Sequence, residues 1–111
     1  MPPKESICQE ADRIVSNDRN QDYGHPLPDF ERVADLWHAQ FGWEVTPEDV
    51  GIAMILMKTA RQQVRAKRDN LVDIAGYAKT LEMIADVRRS NTHGHTPPLF
   101  VPPGAPGTPE E

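Results

Sequence analysis

The segment that begins at Thr46 limits the possible folds of this chain more than any other, because it joins a complete helix start to an apolar run. Thr46 is a typical N-cap residue, and Pro47 suits the first helical position. Glu48 and Asp49 complement the positive end of the helix dipole. Residues 50–57 are then apolar almost all round, and a helix of that kind packs on several sides. We therefore predict a central helix in an all-α protein.

Three further segments have helical periodicity. They cover about residues 5–16, 28–41 and 70–88, and Gly42 is a natural stop for the second. Asp69 or Asn70 is the predicted cap of the last helix. Because the links are short, neighbouring helices are expected to be antiparallel. The predicted fold class is all-α, a compact bundle of about four helices, and no strand is needed.

The composition changes at the end of the last predicted helix. Residues 91–111 are rich in proline and glycine, which is typical of a disordered or polyproline-like tail. We predict a helical domain at residues 1–90 and a tail at 91–111. The apolar patch at residues 99–101 could dock on a neighbouring surface.

Length and charge exclude several classes of protein. With 111 residues, a monomer would have a small core, and pairing with a second copy is an ordinary remedy. The net charge of −5 argues against a general nucleic-acid binder. The chain has neither an apolar run of about 18 residues nor a signal-peptide pattern, so a cytoplasmic protein with no membrane partner is expected. The single cysteine, Cys8, is predicted to be a buried small hydrophobic residue.

Charged residues on the last two helices form the first candidate site. Asp69 and Asp73 are four apart and share a face, and Asp73 lies beside apolar positions where a carboxylate needs a metal ion, a cation or water. Lys58 and Arg61 follow the most apolar stretch, and this pair could face the aspartates or bind a phosphate. A plain salt bridge, a solvated face and snorkelling side chains remain alternatives.

Two other groups of residues are weaker candidates. In the loop before the second helix, Tyr23 could stack on a base and His25 could donate to a phosphate or hydroxyl. The alternative is a turn that packs Tyr23 on the end of the bundle. On the second helix, Glu31, Asp35 and His38 have spacings that suit a divalent metal, although exposed helices often show such spacing by chance.

Three short runs together resemble a known group of proteins. They are Asp-Asn-Leu-Val-Asp-Ile-Ala-Gly-Tyr-Ala at 69–78, Lys-Thr-Ala-Arg at 58–61 and Asp-Tyr-Gly at 22–24. The chain, over about residues 5–86, resembles small phage and prophage proteins similar to the nucleotide-modification-associated and MazG-like all-α nucleoside triphosphate pyrophosphohydrolase domains. If the chain is phage-encoded, its location would be the host cytoplasm.

The resemblance implies a function for each candidate residue. In those hydrolases a Glu-x-x-Glu helix and a Glu-x-x-Asp helix bind Mg²⁺, which holds the triphosphate and helps a water attack it. The implied sites are magnesium ligands at Asp69 and Asp73, a catalytic residue at Asp73, phosphate-binding residues at Lys58 and Arg61, and nucleoside contacts at Tyr23 and His25.

The sequence departs from that motif in two places. Asn70 stands where the family has a glutamate, and Lys58 and Arg61 have the Glu-x-x-Glu spacing with the opposite charge. Either an acid from elsewhere (Glu31, Asp35 or Glu48) completes the metal site, or the cations replace the metal and hold phosphate directly.

Three hypotheses follow for the function of the chain. The first is a magnesium-dependent nucleoside triphosphate pyrophosphohydrolase. The second is a non-catalytic protein that binds a nucleotide or another phosphorylated small molecule, for example to sequester a signalling nucleotide. The third is a structural or interaction protein whose charges form salt bridges between helices. In all three a homo-oligomer is expected.

Overall fold

The computed structural model describes residues 4–19 and 24–91, and every regular element within these ranges is helical. The predicted all-α class with four helices is confirmed. The elements are α1 (Ile7–Arg13), a π-helical segment that continues it (Ile14–Arg19), α2 (Pro26–Phe41), α3 (Pro47–Val64) and α4 (Arg68–Asn91). Tyr23 and residues 92–111 of the predicted tail lie outside the described residues. None of the described helices has the length and apolar character needed to span a membrane.

Local sequence signals set both ends of the α2–α3 link. Gly42 ends α2 in the left-handed conformation with φ of +76°, which glycine adopts without strain. Thr46 caps α3 as predicted, since its Oγ1 accepts a hydrogen bond from the Asp49 N–H at 3.1 Å. The Thr46 N–H in turn donates to Asp49 Oδ2 at 3.0 Å, which completes a capping box. Both boundaries were therefore predictable from neighbouring residues.

The α3–α4 link differs from the prediction. Helix α4 begins at Arg68, so neither Asp69 nor Asn70 is its cap. Asn70 is buried, and its Nδ2 donates to Gln62 Oε1 at 3.1 Å and to the Arg65 carbonyl at 3.4 Å. The amide thus joins the end of α3 to the first turn of α4, because a buried polar group needs a hydrogen-bond partner.

Helix α4, rather than α3, is the centre of the bundle, since it contacts the other three helices. Helix α3 runs antiparallel to it, as the pairing of Glu48 with Arg88 near one end and of Lys58 with Asp73 towards the other shows. Helix α1 packs on a different side of α4 from α3 and runs in the same direction as α4. Charged contacts hold α1 against α4. Arg68 pairs with Glu10, and Arg68 Nη2 donates to the Glu5 carbonyl at 2.8 Å.

The core lies where α2, α3 and α4 meet. Its buried members are Phe30, Ala34, Val50 and Ile84. The prediction that α3 packs on several sides holds for the sides that meet α2 and α4, but a further side with Ile52 and Leu56 is exposed. The predicted burial of Cys8 is also wrong, since its side chain lies on the exposed side of α1.

Candidate functional site

The predicted phosphate-binding lysine and the predicted catalytic aspartate form an ion pair. Lys58 Nζ lies 2.7 Å from Asp73 Oδ2, across the contact between α3 and α4. The lysine side chain is 16% exposed and the aspartate side chain 39% exposed. The salt bridge considered as an alternative is therefore present, and the Asp73 carboxylate still faces solvent in part. Whether this pair also binds a ligand stays a prediction.

The other two predicted charges, Arg61 and Asp69, lie one helical turn away on the same two helices. Arg61 follows Lys58 by three residues and Asp69 precedes Asp73 by four, so each pair shares one face of its helix. Because α3 and α4 are antiparallel, both lie on the side of the Lys58–Asp73 pair towards the α3–α4 link. Both are exposed, and neither forms an ion pair within the described residues.

We name these four residues, Lys58, Arg61, Asp69 and Asp73, the charged edge. It combines one closed cation–carboxylate pair with a guanidinium and a carboxylate that face solvent. An arginine with exposed donors suits the two-oxygen recognition of phosphate. Of the four, Lys58 and Asp73 meet across the contact between α3 and α4, and Arg61 and Asp69 lie one turn further along the same helices.

A small cavity lies beside Asp73, between α1 with its π-helical continuation and α4. Its volume of about 20 Å³ leaves room for roughly one water molecule. The lining residues are Ala11, Ile14, Val15, Val72, Asp73, Gly76 and Tyr77. The cavity cannot hold a nucleotide, so a ligand of that size would have to lie along the exposed side of the charged edge.

His25 occupies a different part of the molecule. Its Nδ1 accepts a hydrogen bond from the Leu27 N–H at 3.1 Å, so the residue caps α2. In the neutral ring the proton is then on Nε2. His25 also lines an open cleft of about 330 Å³ near the end of α4, together with Met83 and Asp86. Asp86 lies about 20 Å along α4 from Asp73. The structure therefore does not bring His25 to the charged edge.

No group of three His, Cys, Asp or Glu side chains within residues 4–19 and 24–91 converges as a metal site. The set on α2 (Glu31, Asp35, His38) is therefore not assembled, and His38 Nδ1 instead lies 3.1 Å from the Trp43 carbonyl oxygen. Asp69 and Asp73 supply hard oxygen donors. One of these oxygens, Asp73 Oδ2, is already paired with Lys58, and Mg²⁺ binding by the two aspartates stays a prediction.

Glu48, the remaining acid considered for the metal site, is engaged elsewhere. Its carboxylate is buried and pairs with Arg88, whose Nη2 donates to Oε1 at 3.1 Å. Glu48 lies about 15 Å along α3 from Lys58. This buried pair was not predicted from the sequence. The signal that could have indicated it was an arginine at the end of one helix and a glutamate at the start of its antiparallel neighbour.

Comparison with known protein families finds one model that covers all of these residues. Residues 6–85, which include the charged edge, match the model of a family described as "Domain of unknown function (DUF6378)". The Gene 55 protein of Mycobacterium phage L5 is 48% identical over 79 residues, which are 69% of this chain and 51% of that protein. The Gene 55 protein of Mycobacterium phage D29 is 42% identical over 81 residues, which are 72% of this chain and 54% of that protein.

The chain spans about half the length of these curated relatives. No solved structure matches it significantly. The two relatives support the predicted resemblance to phage proteins. These matches show no link to MazG-like or nucleotide-modification-associated domains, so that part of the resemblance stays a prediction.

Proposed function

We propose that this chain, which belongs to the DUF6378 family, binds a nucleotide or another phosphorylated small molecule at the charged edge. The observation that carries the proposal is the Lys58–Asp73 pair. It fixes a cation and a carboxylate 2.7 Å apart on the two longest helices, with the carboxylate partly open to solvent. One turn away, Arg61 and Asp69 offer the same two kinds of group without an ion-pair partner among the described residues.

The geometry suggests how a phosphate would bind. The exposed Arg61 guanidinium presents a planar set of donors for two phosphate oxygens. A second phosphate would replace Asp73 as the partner of Lys58, whose ammonium is already held beside that edge. The exchange releases the Asp73 carboxylate, which then has both oxygens available for a cation.

We further propose the hydrolysis of a nucleoside triphosphate to the monophosphate and pyrophosphate as the reaction. A water oxygen bonds to the α-phosphorus while the bond from that phosphorus to the α–β bridging oxygen breaks. Pyrophosphate leaves with the electron pair of that bond, and the proton that the water loses passes to solvent. Asp69 and Asp73 would hold Mg²⁺, which when bound neutralises phosphate charge and activates water. Lys58 and Arg61 balance the charge that develops on the leaving pyrophosphate.

The proposal also includes contacts of Tyr23 and His25 with the nucleoside. Tyr23, which lies outside the described residues, is proposed to stack on the base. His25 is proposed to donate from Nε2, because its Nδ1 is already occupied by the Leu27 N–H. The ligand would have to extend along the molecule to reach His25 from the charged edge.

A non-catalytic nucleotide binder is the second candidate, and the charge pattern favours it. Lys58 and Arg61 stand at the spacing where the similar hydrolases carry two glutamates. The described residues hold no cluster of three potential metal ligands. In this case the cations hold the phosphates directly, and the protein sequesters a nucleotide without cleaving it. For either function we propose the host cytoplasm as the location and a homo-oligomer as the active form.

A thermal-shift screen separates these candidates. Full-length protein is heated with nucleoside triphosphates, cyclic nucleotides and ADP-ribose, each with Mg²⁺ and with EDTA. A ligand at one hundred times its dissociation constant adds about 2.7 kcal/mol of stability. A shift that needs Mg²⁺, with pyrophosphate release that Asp73→Asn abolishes, supports the hydrolase.

The control is Asp35→Asn, which changes an exposed aspartate on α2 and should leave nucleotide binding and pyrophosphate release unchanged. A shift that survives EDTA and disappears in Arg61→Ala supports the binder instead. If no ligand shifts the melting temperature, both candidates are contradicted, and the charged edge is a set of structural salt bridges in an interaction protein.

A further inference from the structure

An exposed apolar ridge runs along α3. Ile52, Leu56, Ala60 and Val64 follow one another at steps of four residues, and all four are exposed. Leu56 is 63% exposed and Val64 is 89% exposed. Residues at steps of four form the ridges that interdigitate when two helices pack together. The ridge therefore has the form of a helix-packing surface.

The ridge and the Lys58–Asp73 pair lie on different sides of α3. Gly51 and Lys58 mark the side that meets α4, because Leu81 contacts the first and Asp73 the second. Ile52 and Leu56 are turned away from that side by about one third of a turn or more. A partner on the ridge would leave the Lys58–Asp73 pair open to solvent, whereas Arg61, three residues before Val64, borders the ridge.

We propose that a second copy of this chain covers the ridge, with the two α3 helices antiparallel about a twofold axis. In such an interface the same surface serves both copies. An axis midway between Leu56 and Ala60 places each leucine against the alanine of the other copy and each Ile52 against a Val64. The small alanine lets the helices approach closely while the large leucine fills the space, as in closely packed helix pairs.

Charge complementarity selects this occupant and this direction. The first turn of α3 is acidic and includes the exposed Asp49, whereas the exposed Arg65 and Lys67 follow its last residue. The antiparallel arrangement brings the acidic start of α3 in one copy towards the basic residues at the end of α3 in the other. It also opposes the two helix dipoles, which a parallel pair would align with like ends together. A second copy thus matches the ridge in shape and in charge.

The balance of buried and exposed apolar residues supports the same conclusion. Among the described residues, seven large hydrophobic side chains are exposed, as many as the hydrophobic residues in the buried core. A small domain buries too little of its surface to be more than marginally stable alone. Pairing through the ridge would bury three of those seven side chains in each copy.

Sedimentation of the full-length chain tests the interface. Wild type is expected to be a dimer, and Leu56→Glu should raise the dimer dissociation constant by at least about 100-fold, because it places two charges at the centre of an apolar contact. The control is Leu36→Glu, which changes a leucine on α2 that is 67% exposed and should leave the dimer intact. A chain that stays monomeric up to millimolar concentration overturns the proposal, as does a dimer unaffected by Leu56→Glu. The first result would point to the tail patch at residues 99–101 as the occupant.

A cross-linking experiment tests the direction of the helices, and it does not depend on the folding of a dissociated variant. In a Cys8→Ser background, Ile52→Cys and Val64→Cys are prepared separately, mixed and oxidised. The mixture should give the 52–64 disulfide far faster than either variant alone forms its own dimer. Rapid 52–52 cross-linking would indicate a parallel pair and overturn the proposed register.

Discussion

Replacing Gly51 with alanine should reveal how closely α3 and α4 approach. A Cβ atom at this position would lie 2.6 Å from Leu81 Cδ2, 3.0 Å from Leu81 Cγ and 3.4 Å from Phe30 Cε2. The first distance is well inside van der Waals contact, so Leu81 would have to change rotamer or the helices would have to separate. The site lies beside the core residue Phe30, and Leu81 itself is half-buried.

The expected magnitude combines two opposing terms. Alanine in a helix interior is more favourable than glycine by about 1 kcal/mol. Overpacking a well-packed contact costs about 1–3 kcal/mol. Gly76→Ala is the matched control, because it lies inside α4 and its Cβ would meet only Val15 Cγ2, at 3.3 Å. Since the propensity gain is the same in both variants, Gly51→Ala should be less stable than Gly76→Ala by about 1–3 kcal/mol.

Urea unfolding followed by circular dichroism measures this difference, at one protein concentration so that association affects both variants equally. The midpoint should fall for Gly51→Ala relative to Gly76→Ala, with similar denaturant slopes. If Gly51→Ala proves as stable as Gly76→Ala, Leu81 moves aside at little cost, and the reasoning that α3 and α4 are tightly packed at Gly51 would be refuted.

Three further substitutions test individual contacts. In a double-mutant cycle followed by urea unfolding, Lys58→Met and Asp73→Asn should show a coupling of about 1 kcal/mol, because the carboxylate is only partly buried. Arg88→Met should cost about 2–4 kcal/mol in the same assay, since it leaves the buried Glu48 carboxylate without its cation, and a smaller loss than for Glu48→Gln would contradict this. His25→Ala should lower the stability by about 1 kcal/mol through loss of the α2 cap, whereas His25→Asn should restore it in thermal melts.

Helix boundaries that depend on neighbouring residues were predictable, and those that depend on distant contacts were not. Thr46 and Gly42 set their helix ends through hydrogen bonds within four residues, so the sequence contains the whole signal. The start of α4 at Arg68 involves a contact with Glu10, which is 58 positions away along the chain. No local pattern contains that information, because it depends on how α1 docks.

The candidate site shows a similar division. Helical spacing correctly places Asp69 with Asp73 and Lys58 with Arg61 on shared faces, since that follows from helix geometry alone. Which cation meets which carboxylate depends on the register of α3 against α4. The close approach of Leu81 to Gly51 helps to set that register, and it is a packing contact without a sequence signature.

The apolar run of α3 predicts burial but does not say what buries it. Within one chain α3 packs on α2 and α4, and Ile52 and Leu56 remain exposed. A hydrophobic pattern has the same form whether the partner surface belongs to the same chain or to a second copy. If the ridge pairs with a second copy, the pattern is explained by the assembly.

The two proposals for α3 can be tested independently because Lys58 and the ridge lie on different sides of the helix. Leu56→Glu should dissociate the dimer and yet keep any ligand-induced rise in melting temperature, since the ridge does not include Lys58. Lys58→Ala should do the reverse, with ligand response lost and the sedimentation coefficient unchanged. Both variants are measured with the same nucleotide, above and below the dimer dissociation constant. If Leu56→Glu also removes the ligand response while the protein stays folded, the binding site requires both copies, and the separation of the two faces would be wrong.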